Sequence, residues 1–142
     1  MHIIIYTSEY KGEERTIDQD LINITTAAKR HNVEYGITGL LFYHNGRFLQ
    51  IIEGPQKSLE SLMDILETDT RHRNIERIID EPIRERGFRD WNMDSFNLSD
   101  TEKIDPQELR VIRDVYKRNM TMESGFIDEF YKAMLETHDL AV

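Results

Sequence analysis

The sequence predicts an α+β domain: one β-sheet with two helices on one face and two C-terminal helices on the other. Three observations predict it. Short runs rich in β-branched and aromatic residues alternate with two stretches of helical period over residues 1–96. The strands are apolar at both parities, as in Ile3 and Ile5 against Ile4 and Tyr6, so the sheet needs cover on both sides. Residues 97–142 then add two more amphipathic stretches.

In chain order, residues 3–8 read as a strand and residues 11–15 as a charged loop. Asp18 can cap a helix running to about residue 30, with Leu21, Ile24, Ala28 and His31 along one face. Residues 36–43 and 47–53 are two strands. Asn45-Gly46 between them is a hairpin signal, because a type I′ turn needs positive φ at both positions. Pro55 ends the third strand. A second helix spans about 58–67, with Leu59, Leu62, Met63 and Leu66 on one face. A polar loop over 69–74 leads to a fourth strand at 75–81. Residues 82–90 are charged and irregular, and 91–96 form a short edge strand. The order βαββαββ begins as a ferredoxin-like split βαβ.

Asp105-Pro106-Gln107-Glu108 starts a third helix, with a cap, Pro at the first position and Glu at the third. Leu109, Ile112, Val115 and Tyr116 form its apolar stripe. A fourth helix over 124–135 turns Phe126, Ile127, Phe130 and Met134 inward. These two helices are expected to cover the second face of the sheet, with a dimer or partner surface as the alternative. The domain division is thus 1–96 for the sheet unit and 97–142 for a helical cap.

Composition narrows the function. The 142 residues carry a net charge of −9, which repels phosphate backbones and anionic membrane surfaces. No nucleic-acid or membrane partner is expected. There is no cysteine, which excludes disulfides, thiolate metal sites and thiol catalysis. No secretory signal or spanning segment is evident, so a soluble cytoplasmic protein is expected. The five His show no metal-binding spacing, and no phosphate-binding glycine loop or nucleophile elbow is present.

Gln50 stands in the apolar run Phe48-Leu49-Gln50-Ile51-Ile52. It either faces solvent or is a buried amide that needs partners for its donors and acceptor. Sharing a face with Phe48 and Ile52 argues for burial. Tyr6 lies in an equally apolar strand. It is either plain core or, since the first and third strands of such a sheet are neighbours, a partner for Gln50. Ile24 and Leu66 face the sheet from the two helices and leave a slot for a flat ring. His31, Asn32 and Gln50 would supply polar groups at its edge. Arg71 and His72 sit near the mouth, where Arg71 is free to pair with a phosphate; a solvated loop is the alternative.

These residues resemble a known family. Ile4-Ile5-Tyr6-Thr7-Ser8, Lys29-Arg30-His31-Asn32, Gly36-Ile37-Thr38-Gly39-Leu40-Leu41, Phe48-Leu49-Gln50-Ile51-Ile52-Glu53-Gly54-Pro55, Asp69-Thr70-Arg71-His72 and Trp91-Asn92-Met93 look like a BLUF domain, a sensor of blue light using FAD. The match covers about residues 1–96 in order.

The resemblance implies non-covalent FAD between the two helices, with FMN or riboflavin as alternatives. The family's flavin-contacting Tyr and Gln match Tyr6 and Gln50, and its flavin-binding Asn matches Asn32. His31 falls at a variable neighbouring position. Ile24 and Leu66 match the residues that sandwich the ring. The Arg-His pair matches Arg71 and His72, and the mobile Trp and Met match Trp91 and Met93. In the family, light drives an electron and then a proton from the Tyr, and the Gln side chain rearranges. No effector enzyme fits into the remaining residues. The chain therefore resembles short BLUF proteins, which are not enzymes and signal through homo-oligomer contacts and a separate protein effector. An acylphosphatase-like enzyme or a cofactor-free interaction module are the alternatives. The former lacks its glycine-rich loop and Arg after the first strand, where Ser8-Glu9-Tyr10-Lys11 stands.

Overall fold

The structure, a computed structural model, describes residues 1–89 and 92–97. A five-stranded mixed sheet is built from β1 (His2–Tyr10), β2 (Thr38–His44), β3 (Arg47–Gly54), β4 (His72–Pro82) and β5 (Asn92–Asn97). Helices α1 (Ile17–Tyr35) and α2 (Gln56–Glu67) complete it. The strand order is β4-β1-β3-β2-β5. β1 runs antiparallel to β3 and β4, and β2 antiparallel to β3, as a ferredoxin-like sheet requires. β5 extends the edge parallel to β2.

Several boundaries move from those the sequence predicts. The first helix runs on to Tyr35 and ends where Gly36 turns left-handed at φ 70°, its N–H bonding the Asn32 carbonyl. Glycine adopts that conformation without a Cβ clash, so Gly36 closes the helix and does not begin the strand. Asp18 is not the cap. It lies in the first turn, where its charge suits the positive helix end, while a 3-10 turn at Glu14–Thr16 precedes the helix. The second helix starts directly after Pro55. β1 and β4 are both longer than expected, because each supplies ladder partners to the other from His2↔Pro82 to Tyr10↔His72. The polar loop therefore contributes His72, Arg73 and Asn74 to a strand. The Asn45-Gly46 turn forms as expected, with φ of 48° and 82°.

One core joins both helices to one face of the sheet. Ile17 and Leu21 of α1 and Leu59, Leu62 and Met63 of α2 pack on Ile4, Tyr6, Leu41, Phe48 and Ile52. Burial of such a side chain is worth roughly 1.5–3 kcal/mol. The opposite face is equally closed to solvent: Ile3, Ile5, Leu40, Phe42, Leu49 and Ile51 are each at most 5% exposed. The two C-terminal helices expected over that face lie outside the described residues, as does Trp91.

Gly39 has no room for a side chain. A Cβ there would stand 1.9 Å from the Ile51 carbonyl oxygen. The backbones of β2 and β3 approach closely at this point.

Candidate functional site

Strand register builds the site. Tyr6 of β1, Gln50 of β3 and Leu41 of β2 are consecutive ladder partners on the helix-bearing face. Tyr6 and Gln50 are 2% and 3% exposed. The Tyr6 hydroxyl donates to Gln50 Oε1. Gln50 Nε2 donates in turn to Met93 Sδ at 2.9 Å. The amide the sequence left open is thus buried and bonded at both ends. Burial, and then the nearby Asp69 carboxylate, push the Tyr6 phenol far above its ordinary pKa, so it holds its proton.

A cleft of about 290 Å³ opens beside this chain. It is lined by Ile24 of α1 and Leu66 of α2, with Tyr6, Leu41, Phe48 and Gln50 as its floor and Asp69, Arg71 and His72 at its end. Ile24 and Leu66 face the cleft from the two helices, where the sequence set them.

The mouth differs from expectation. Arg71 is not free: its Nε and Nη2 donate to Asp69 at 2.9 and 2.6 Å, and its backbone N–H bonds the same carboxylate. Burial pushes the Asp69 carboxyl up, but these bonds outweigh it and hold it below its ordinary pKa. Asp69, two residues before Arg71, has the spacing of an Asx turn, the signal that would have found it. His72 is wedged between elements, with Ser8 Oγ and the Leu66 carbonyl each 2.8 Å from its two nitrogens.

His31 and Asn32 stand at the end of α1 and do not line the cleft. His31 stacks on Tyr35 with ring centroids 4.5 Å apart. Asn32 is fully buried, and its Nδ2 has no acceptor among the described residues. A buried donor left unpaired costs about 1–3 kcal/mol. In the cleft itself, the aliphatic walls Ile24 and Leu66 suit the faces of a flavin ring, and the Gln50 amide offers a polar group at its edge. The residues present fit that group.

Sequence reasoning missed Glu53. It is 2% exposed, and its carboxylate accepts from the N–H groups of Gly87 and Phe88 at 2.8 and 2.7 Å. Burial pushes its pKa up, against these two bonds and Arg86. A carboxylate at the end of an apolar strand was the available signal.

The profile of the family described as BLUF, sensors of blue-light using FAD, matches residues 1–94. The chain belongs to the BLUF family. Its likeness extends over BLUF-containing proteins of several sizes. The photoactivated adenylate cyclase subunit beta of Euglena longa is 36% identical over 77 residues, 54% of this chain and 9% of that protein. The blue light- and temperature-regulated antirepressor BluF of Escherichia coli (strain K12) is 24% identical over 134 residues, 94% of this chain and 33% of that protein. The chain thus spans a third or less of these curated relatives. The dark-state structure of BlrB, a BLUF protein, superposes with a TM-score of 0.67 at 28% identity, covering 98% of this chain and 96% of that one. Among the described residues, no helix of this BLUF chain is long and apolar enough to cross a membrane, and no cluster of His, Asp or Glu could hold a metal.

Proposed function

We propose that this chain is a blue-light photoreceptor that holds a flavin, FAD in the first instance, without a covalent bond. One observation carries this reading: the buried hydrogen-bond chain from Tyr6 through Gln50 to Met93 runs beside a cleft walled by Ile24 and Leu66. A bound flavin would supply the blue absorption and an acceptor for an electron and a proton.

The protein's residues have distinct roles in this reading. Ile24 and Leu66 hold the ring, and Asn32, with His31 beside it, sets its edge. Arg71 and His72 close the end of the cleft; Arg71 meets a phosphate by exchanging its Asp69 partner. Tyr6 would be the electron donor, its hydroxyl proton held against Gln50 Oε1. Gln50 is the switch. An amide carries a donor at one end and an acceptor at the other, so rearranging it changes what each neighbour receives. Met93 loses its N–H···S bond when the amide rearranges, by rotation, tautomerisation or both. β5, with Met93, then shifts population and carries the signal outward.

The chain acts as a sensor and not as an enzyme in this reading. It works in the cytoplasm as a homo-oligomer that hands the signal to a separate protein effector. Residues 1–96 are the sensor, and 97–142 cover the second face of the sheet, whose burial supports such a cover.

The test is spectroscopic. The purified protein should be yellow, and blue light should shift its flavin band to the red, reversibly in the dark. With no cysteine to attach it, all the flavin should leave the chain on denaturation. A colourless protein that takes up no added flavin would overturn the reading.

A further inference from the structure

Residues 83–89, which lead from β4 toward β5, pass the ends of other strands, because the sheet order puts β1, β3 and β2 between β4 and β5. They are staked down at each. Ile83 N–H bonds the Met1 carbonyl at 3.1 Å, beside β1. Glu53, at the end of β3, takes the N–H groups of Gly87 and Phe88. Arg86 bonds Gly36 O at 2.6 Å and Thr38 Oγ1 at 2.9 Å, at the start of β2, and Glu53 O at 3.1 Å. Phe88 is fully buried. The far end of β5 is also tied, by Asn97 Nδ2 to Asp18 at 3.0 Å.

Between these ties the chain carries one residue too many. Gly39 pairs with Asn92 and Leu40 with Asp94, so Met93 is left over in the β2–β5 ladder. Met93 is left-handed at φ 63°, a conformation that an L side chain adopts only under constraint. It is fully buried against Gln50. A bulge of this kind re-aims one side chain, and strained backbone of this kind persists only where the surrounding structure over-determines it.

We propose that Glu53 is a positioning residue: by holding the amides of Gly87 and Phe88 it sets how much chain reaches β5, and so keeps Met93 bulged inward against Gln50. The proposal rests on the photoreceptor reading only where it makes β5 the output strand. If Glu53 lets go, the crossing gains slack and the extra residue can leave the ladder. A one-residue change of register turns a strand's side chains to the opposite face. Met93 would then lose Gln50 without any event in the cleft.

The test uses the full-length chain in the dark, with Met methyl carbons labelled and the Met93 resonance assigned by Met93→Leu. In Glu53→Gln, one of the two acceptors becomes a donor facing a backbone N–H. Amide exchange at Gly87 and Phe88 should speed up about tenfold, the loss of one hydrogen bond. The Met93 methyl resonance should shift or split, and exchange at residues 92–94 should rise with it. Arg86→Lys, which keeps the charge but not the fork, should give the same pattern more weakly. If Met93 and residues 92–94 are unchanged while Gly87 and Phe88 exchange faster, Glu53 is a local clamp only and the proposal fails. A wild-type chain with no light-induced shift would sink the photoreceptor reading and leave this result standing.

Discussion

At the scale of single residues, the site depends on hydrogen bonds that no neighbour can replace. Tyr6→Phe removes the donor to Gln50 Oε1 while preserving the ring that packs in the core. It should bind flavin and show no light-induced red shift, as read by absorption before and after illumination. Gln50→Leu should lose the shift in the same way, and it also removes the bond to Met93. A normal shift in either variant would end their assignment. Asp69 sets a different dependence. Its pKa is depressed, so its contribution to stability is present above the ordinary carboxylate value near 4 and lost as pH falls through the lower folded value. As pH falls below about 4, wild type should therefore lose stability more steeply than Asp69→Asn, as measured by urea unfolding at decreasing pH.

At the scale of elements, three glycines separate two physical demands. Gly39 is required by contact: a Cβ would meet a backbone carbonyl that cannot move without breaking the β2–β3 ladder. Gly39→Ala should cost about 2–3 kcal/mol, and it should loosen the β5 pairing that starts at Asn92. Gly46 meets nothing within 4 Å, but its φ is 82°. Gly46→Ala should cost only about 1–2 kcal/mol, the conformational penalty alone. Gly36 belongs with Gly46, since the nearest atoms to its Cβ position are 3.8 Å away or more. Chemical denaturation of the three alanine variants should give that order, Gly39 well above the other two.

At the scale of the whole molecule, the sheet is buried on both faces, and the described helices account for one. Residues 98–142 are the proposed cover of the other. Removing them should expose Ile3, Ile5, Leu40, Phe42, Leu49 and Ile51 together. A contiguous apolar patch beyond roughly 400 Å² drives association. The truncated chain should aggregate or change oligomeric state by light scattering. Its soluble fraction should keep the red shift, because the cleft lies on the other face. A monodisperse truncated chain of unchanged oligomeric state would show that the tail covers nothing.

Much of this molecule was legible before its structure. Apolar runs at both parities, the Asn45-Gly46 turn and the two helical stripes depend on local periodicity and turn chemistry, which the sequence determines by itself. Tyr6 and Gln50 were legible for the same reason: a polar group inside an apolar strand stands out against its period. Only the tertiary structure decided the rest. Helix α1 runs five residues beyond the expected end because Asn32 and Tyr35 continue a turn that only Gly36 can close. Glu53 holds residues 34 and 35 positions away, and Met93 reaches a glutamine 43 positions earlier. Such bonds are set by which strand ends a crossing segment must pass, and that follows from the strand order β4-β1-β3-β2-β5 and not from any local run of residues.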